Sequence, residues 1–188
     1  VNRAYQGTYA AGSCFKPCVA LAGLAEGIIT PSTTIQCTGV YTRFETYHPK
    51  CLYVNGFINV LDALKVSCNY FFYETGYQLG IDRIERYATR LGLGQPTGLE
   101  LPELIGEVSS PETKAKHEAD PWWDGDTVQS AIGQLYNNFT PLQLANYTAA
   151  IANRGRRMQA HIVRSVESYS REETVSVTRP TIAETISA

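Results

Sequence analysis

Gly12-Ser13-Cys14-Phe15-Lys16-Pro17 is the stretch on which the reading of this 188-residue chain turns. It sets a hydroxyl and an amine three residues apart. A serine hydroxyl is a weak nucleophile at neutral pH and needs a neighbour to accept its proton; a lysine does this only where its ammonium form is destabilised. Spacing of three places the two side chains on one face of a helix. With a helix starting at Ser13, both also lie at its positive end, which favours an incipient alkoxide and disfavours the ammonium. The same tetrapeptide describes an N-cap serine followed by a solvated lysine, so its meaning rests on context.

The immediate context is apolar. Phe15, Val19, Ala20, Leu21, Gly23 and Leu24 form a broad face, Pro17 falls in the first turn where its missing N–H costs least, and Gly27 is a C-terminal stop. This predicts a helix over 14–26 that is buried because it is nearly uncharged, and burial lowers the proton affinity of Lys16. Residues 1–12 read as an extended lead-in.

A second stretch, Val66-Ser67-Cys68-Asn69-Tyr70, carries a hydroxyl and an amide at a break between two predicted helices, Val60–Lys65 with Asn59 as N-cap and Tyr70–Leu79. Such a pair can relay a proton and hold a peptide group, or simply cap helix ends. Between the two stretches, 31–56 reads as a long loop bordering a cleft, with short strands over 34–37 and 52–54.

Further along, Asp82–Leu91 is a helix with Ile84, Tyr87, Ala88 and Leu91 on one face, and 92–118 reads as successive turns. Trp122-Trp123-Asp124-Gly125-Asp126 is a cleft wall or a core edge; its two aspartates lack the rest of a calcium loop. Thr140, Pro141 and Gln143 make the clearest helix start, a capping box that predicts a helix to about Asn153. Arg154, Arg156 and Arg157 read as a solvated cluster, 161–166 as a strand, and 180–187 as the first turns of a helix.

Composition narrows the class. Apolar residues make up 44% and aromatics 11%, as in a folded globular protein, and a formal net charge of −2 argues against nucleic acid as partner. No apolar run reaches bilayer-spanning length, and the first residues lack a signal peptide's apolar core. The absence of an initial Met fits a mature piece of a longer protein. Five cysteines, Cys14, Cys18, Cys37, Cys51 and Cys68, are an odd set, so at least one has no partner within the chain. Cys37, His48 and Cys51 lack a fourth metal ligand at suitable spacing, so no metal is expected; a Cys37–Cys51 disulfide is open to a chain outside the cytoplasm.

Four stretches in this order resemble the penicillin-binding transpeptidases, specifically the monofunctional class B enzymes that cross-link peptidoglycan. They are Tyr9–Pro17, Leu64–Phe72, Leu91–Gly94 with Thr97-Gly98 and Leu101-Pro102, and Ile132–Gln134 with Thr140–Ala145, and together they cover most of the chain. Ser-x-x-Lys and Ser-x-Asn belong to this family's motif set. The resemblance implies a partial transpeptidase domain over 1–188: mainly α, the helical subdomain of the serine β-lactamase/penicillin-binding transpeptidase fold, whose parent is α+β, with few short strands.

The resemblance also implies roles. Ser13 would be acylated by a peptide ending in D-Ala-D-Ala or by a β-lactam, Lys16 would be its base, Ser67 would pass a proton to the leaving group, and Asn69 would bind the substrate amide. It implies no cofactor and no metal, cell-wall synthesis proteins as partners, and an extracytoplasmic place at the bacterial membrane through an anchor outside these residues. The family's third motif, Lys-Thr-Gly, does not occur. It would follow residue 188, so these residues alone are expected to be weakly active or inactive. Ala11 replaces a common Pro, and Leu135 a common Gly. Two alternatives remain: a serine β-lactamase or β-lactam sensor, against which stands the lack of a Glu-x-x-Leu-Asn segment, and an inactive binding or scaffold module of the same fold.

Overall fold

The computed structural model describes residues 1–170 and 173–186. Among the described residues, seven α-helices surround a single core: α1 (Lys16–Ala25), α2 (Val60–Lys65), α3 (Asn69–Leu79), α4 (Ile81–Arg90), α5 (Pro111–His117), α6 (Asp124–Ala131) and α7 (Pro141–Ala152). The strands are short: β1 (Tyr9–Ala10), β2 (Ile35–Cys37), β3 (Gly56–Ile58), β4 (Asn138–Phe139), β5 (Arg156–Met158), β6 (Ser165–Glu167), β7 (Thr174–Val177) and β8 (Ile182–Thr185). They pair only two at a time, all antiparallel, as β1–β4, β2–β3, β5–β8 and β6–β7. The chain adopts the expected mainly α architecture, and its short strands form separate two-stranded ladders.

Helix α3 is the hub because it is apolar almost all round, and such a helix must be covered on several sides. It buries Phe71, Phe72, Tyr73, Thr75, Gly76 and Leu79, and α1, α2, α4 and α6 pack on it. Two glycines permit that closeness. A Cβ on Gly23 would lie 2.9 Å from Thr75 Cγ2, and one on Gly76 would overlap the Ala131 Cβ of α6. Helix α7 starts as its capping box requires: Thr140 Oγ1 accepts from the Gln143 N–H at 3.1 Å, and Gln143 Oε1 accepts from the Thr140 N–H at 2.9 Å.

Several sequence expectations are corrected. The second loop strand is Gly56–Ile58, not 52–54, because pairing Ile35 with Ile58 and Cys37 with Gly56 buries Cys37 and Ile58 together. The region read as turns contains α5, capped by Ser110, whose Oγ accepts from the Thr113 N–H at 3.1 Å. Asp124 and Asp126 open helix α6 rather than a loop; Asp126 Oδ2 accepts from the Trp123 N–H at 2.9 Å. The segment expected to begin a helix near the end is strand β8, pulled into a ladder by β5; Ser187 lies outside the described residues. Arg157 is not solvated: it is half-buried, and its Nη2 lies 3.5 Å from Glu184.

Replacing Gly76 with Ala tests the α3–α6 contact. The added methyl forces the helices apart, and denaturant unfolding is expected to show a loss of about 1–3 kcal/mol; unchanged stability would show that the interface is loose.

Candidate functional site

Ser13 lies in a 3-10 turn, Gly12–Phe15, that runs straight into α1. The turn is held from behind. The Gly12 N–H donates to the Gly133 carbonyl at 2.8 Å and the Ala11 N–H to the Asn137 carbonyl at 3.0 Å. Gly133 must be a glycine, since its φ is +75° and a Cβ there would overlap the Gly12 carbonyl. Asn137 is locked in turn: its Nδ2 donates to the Ser130 carbonyl at 3.0 Å, and its Oδ1 accepts from the Ser109 N–H at 3.0 Å. Phe15, fully buried, stacks on Phe139. Ser13 is left exposed at the open end of this frame.

Lys16 occupies the first turn of α1 and is only 1% exposed. A buried ammonium is tolerated when each of its three N–H bonds finds an acceptor. All three do: Nζ donates to the Ser67 carbonyl at 2.7 Å, Ser67 Oγ at 2.8 Å and Asn69 Oδ1 at 2.6 Å. It also lies 5.7 Å from the centre of the Phe72 ring. Burial lowers its pKa from the usual 10.5 to about 8, while the Cys51 and Cys68 sulfurs pull the other way.

The acceptors come from the break between α2 and α3. Ser67 sits at φ +55°, a left-handed conformation that a non-glycine residue adopts at a cost of about 1–3 kcal/mol and that is held by its surroundings. This turn of the backbone points both oxygens of Ser67 at Lys16. The Ser67 hydroxyl donates in turn to Ser13 Oγ at 2.8 Å.

All four residues singled out from sequence thus meet in one cluster, with one difference in wiring. The helical spacing implied a direct Ser13–Lys16 contact; here Ser67 stands between them. The Ser67 hydroxyl bridges the two, accepting from Lys16 Nζ and donating to Ser13 Oγ. Asn69 presents Oδ1 to the lysine, so its Nδ2 is the group left to donate to a ligand.

Beneath the cluster the cysteines differ from expectation. All five are free thiols, and the sulfurs of Cys37, Cys51 and Cys68 lie within 4.8 Å of one another, with Cys51 and Cys68 3.8 Å apart; His48 is not with them. Asn55 Nδ2 reaches the sulfurs of Cys37 at 3.6 Å and Cys51 at 3.7 Å. Three thiols so placed could serve as soft-metal ligands. Sequence spacing does not reveal the grouping, because Cys68 lies 17 positions after Cys51 and on the far side of α2.

Comparison with known proteins agrees with the geometry. Residues 1–188 match the family model described as the penicillin binding protein transpeptidase domain. Peptidoglycan D,D-transpeptidase MrdA of Haemophilus influenzae is 34% identical over 173 residues, covering 88% of this chain and 26% of that protein. The Acinetobacter baumannii MrdA is 36% identical over 171 residues, covering 87% and 25%. The chain therefore spans about a quarter of the length of these relatives. Among solved structures, Pseudomonas aeruginosa PBP2 in complex with WCK 5153 superposes with a TM-score of 0.83 at 30% identity, covering 98% of this chain and 43% of that one. A complex between penicillin-binding protein PBP2 and MreC from Helicobacter pylori gives 0.81 at 31%, covering 86% and 30%.

The lysine cage has a pH signature. Between about 8 and 10.5 the unfolded chain holds the Lys16 proton more tightly than the folded one, so this group's contribution to stability rises with pH across that window. Asn69→Ala removes one acceptor from a charged donor, and is expected to cost about 1–3 kcal/mol at pH 7. The cost should shrink at pH 10, where Lys16 is neutral; denaturation curves at both pH values giving equal losses would contradict the cage.

Proposed function

The chain belongs to the penicillin-binding protein transpeptidase family, and on that premise we propose that the protein is a serine D,D-transpeptidase that cross-links peptidoglycan. Its substrates are stem peptides ending in D-Ala-D-Ala, and β-lactams acylate the same serine. The observation that carries this reading is the hydrogen-bonded series Ser13 Oγ, Ser67 Oγ, Lys16 Nζ, with 2.8 Å at each link.

With Lys16 neutral, the directions of these hydrogen bonds reverse. Ser13 gives its proton to Ser67 Oγ as Ser67 gives its own to Lys16 Nζ, and Ser13 Oγ adds to the carbonyl carbon of the penultimate residue. The Ser13 backbone N–H stabilises the resulting oxyanion, and Asn69 Nδ2 holds the substrate amide. Collapse of the tetrahedral adduct breaks the C–N bond, and the departing amine takes a proton back from Ser67, which Lys16 replenishes. An acceptor amine then attacks the acyl-serine ester by the same route in reverse. In a β-lactam the leaving nitrogen stays tethered, so the acyl-serine persists.

The family's second oxyanion donor and its extra lysine come from a Lys-Thr-Gly strand, which these residues do not contain. Activity is accordingly expected of a longer form that carries it. We place that activity on the extracytoplasmic face of the bacterial membrane, with an anchor outside this chain: among the described residues no helix is long and apolar enough to cross a membrane. The MreC complex of the Helicobacter pylori protein supports a cell-wall synthesis protein as partner.

Fluorescent penicillin tests the reading. A form with Lys-Thr-Gly should label at Ser13, lose labelling in Ser13→Ala, and slow by about 100-fold or more in Lys16→Ala. The labelling rate should rise with pH through a midpoint near 8, as Lys16 loses its proton. The 188 residues alone should label at least about 100-fold more slowly. Failure of the longer form to label would sink the enzyme reading, and rapid turnover of nitrocefin by it would favour a hydrolase.

A further inference from the structure

Beside the Ser13 frame lies an open cavity of about 690 Å³ that the acylation chemistry does not use. Its walls include Phe44, Tyr47, Trp122, Trp123, Asp124 and Gln129. Trp123 is 63% exposed, although a large flat apolar ring is costly to leave in water. Its neighbours are fixed. Trp122 Nε1 donates to Thr127 Oγ1 at 2.9 Å, and Gln129 Nε2 donates to the Tyr47 hydroxyl. Gly125 leaves the Tyr47 ring room against α6, where a Cβ would lie 3.3 Å from it.

The polar groups select among ligands. Asp126 is neutralised by Lys114 at 2.7 Å, whereas Asp124 has no ion-pair partner among the described residues. Both aspartates stand in the first turn of α6, so the positive end of that helix is already answered and an anionic ligand is repelled. A shallow, open cleft is a poor cage for a lone ammonium, which gains most when rings enclose it. A pyranose ring fits better. Its C–H face can stack on an exposed indole, and its rim of hydroxyls suits a carboxylate that accepts and an amide that donates and accepts.

Position points the same way. The cavity extends from Trp123 and Asp124 at the start of α6 to Leu135 just past its end, about 12 Å along the helix. Leu135 is two residues beyond Gly133, whose carbonyl braces Gly12 next to Ser13. We propose that this aromatic cavity binds an N-acetylated sugar of the glycan strand to which a stem peptide is attached, with Trp123 as stacking platform and Asp124 as hydroxyl acceptor. The proposal deepens the transpeptidase reading and rests on it for the identity of the sugar.

The chain has two tryptophans, both on this cavity, so its intrinsic fluorescence reports on the site. Titration with the tetrasaccharide of N-acetylglucosamine should change that fluorescence saturably, with a dissociation constant of about 1 mM. Saturation transfer to the sugar N-acetyl protons should follow the same curve. Trp123→Ala, at an exposed position, should weaken binding by about tenfold and Asp124→Asn by several-fold, while Ser13→Ala leaves it unchanged. Penicillin labelling of the longer form is run alongside and should be normal in Trp123→Ala. No saturable response, or equal affinity in Trp123→Ala, overturns the sugar site even where Ser13 labels. A response to a lysine-containing peptide with none to the sugar overturns it as well. Loss of labelling with sugar binding intact removes the transpeptidase reading and leaves the cavity's ligand class standing.

Discussion

Burial of one ammonium group sets the conditions that the rest of this structure meets. Lys16 is buried in the first turn of α1, and a charge so placed survives only with every N–H bond satisfied. The acceptors must come from outside α1, because the helix's own carbonyls are occupied or point along its axis. They come from Ser67 and Asn69, and this explains why the chain breaks between α2 and α3 and why Ser67 takes a left-handed backbone conformation. A demand made at residue 16 thus shapes the backbone some fifty positions later.

The proposed nucleophile depends on a different part of the chain. Ser13 is exposed, and its position is decided by the backbone behind it, where Gly12 and Ala11 are bonded to the segment after α6. That segment is held by Asn137 and by the packing of α6 on Gly76 of the central helix. The result is a rigid frame with a soluble hydroxyl on one side and a dry lysine on the other. Ser67, half-buried between them, is the point at which water-exposed and water-excluded chemistry meet.

The proposed reaction needs a facing strand with further hydrogen-bond donors, and the helical wall brings the groups that must be desolvated or strained beforehand. The aromatic cavity runs along α6, and the cysteine cluster lies next to Asn69. Both are built from residues distant in sequence.

Much was legible in the amino-acid order. Helices α1, α2, α3, α4 and α7 follow from local rules: apolar periodicity, Asn59 and Thr140 as caps, Pro17 and Pro141 in first turns, glycine after the end. The four candidate site residues, which the fold brings together, stand out because Ser-x-x-Lys and Ser-x-Asn are short motifs whose chemistry depends on residue type. Helices α5 and α6 are hard to read in sequence because they are short and polar, with little periodicity; the N-cap Ser110 and the carboxylate of Asp126, which accepts from the N-cap Trp123 N–H, are the available signals. The strand Ile182–Thr185 was misread because a strand's state is decided by its partner, and β5 is brought to it only by the folded chain. Sequence alone therefore determined which groups could do chemistry and which helices carry them. Only the tertiary structure decided that Ser67 stands between Ser13 and Lys16 and that Cys37, Cys51 and Cys68 converge, because those relations depend on how helices pack around α3 rather than on any local preference.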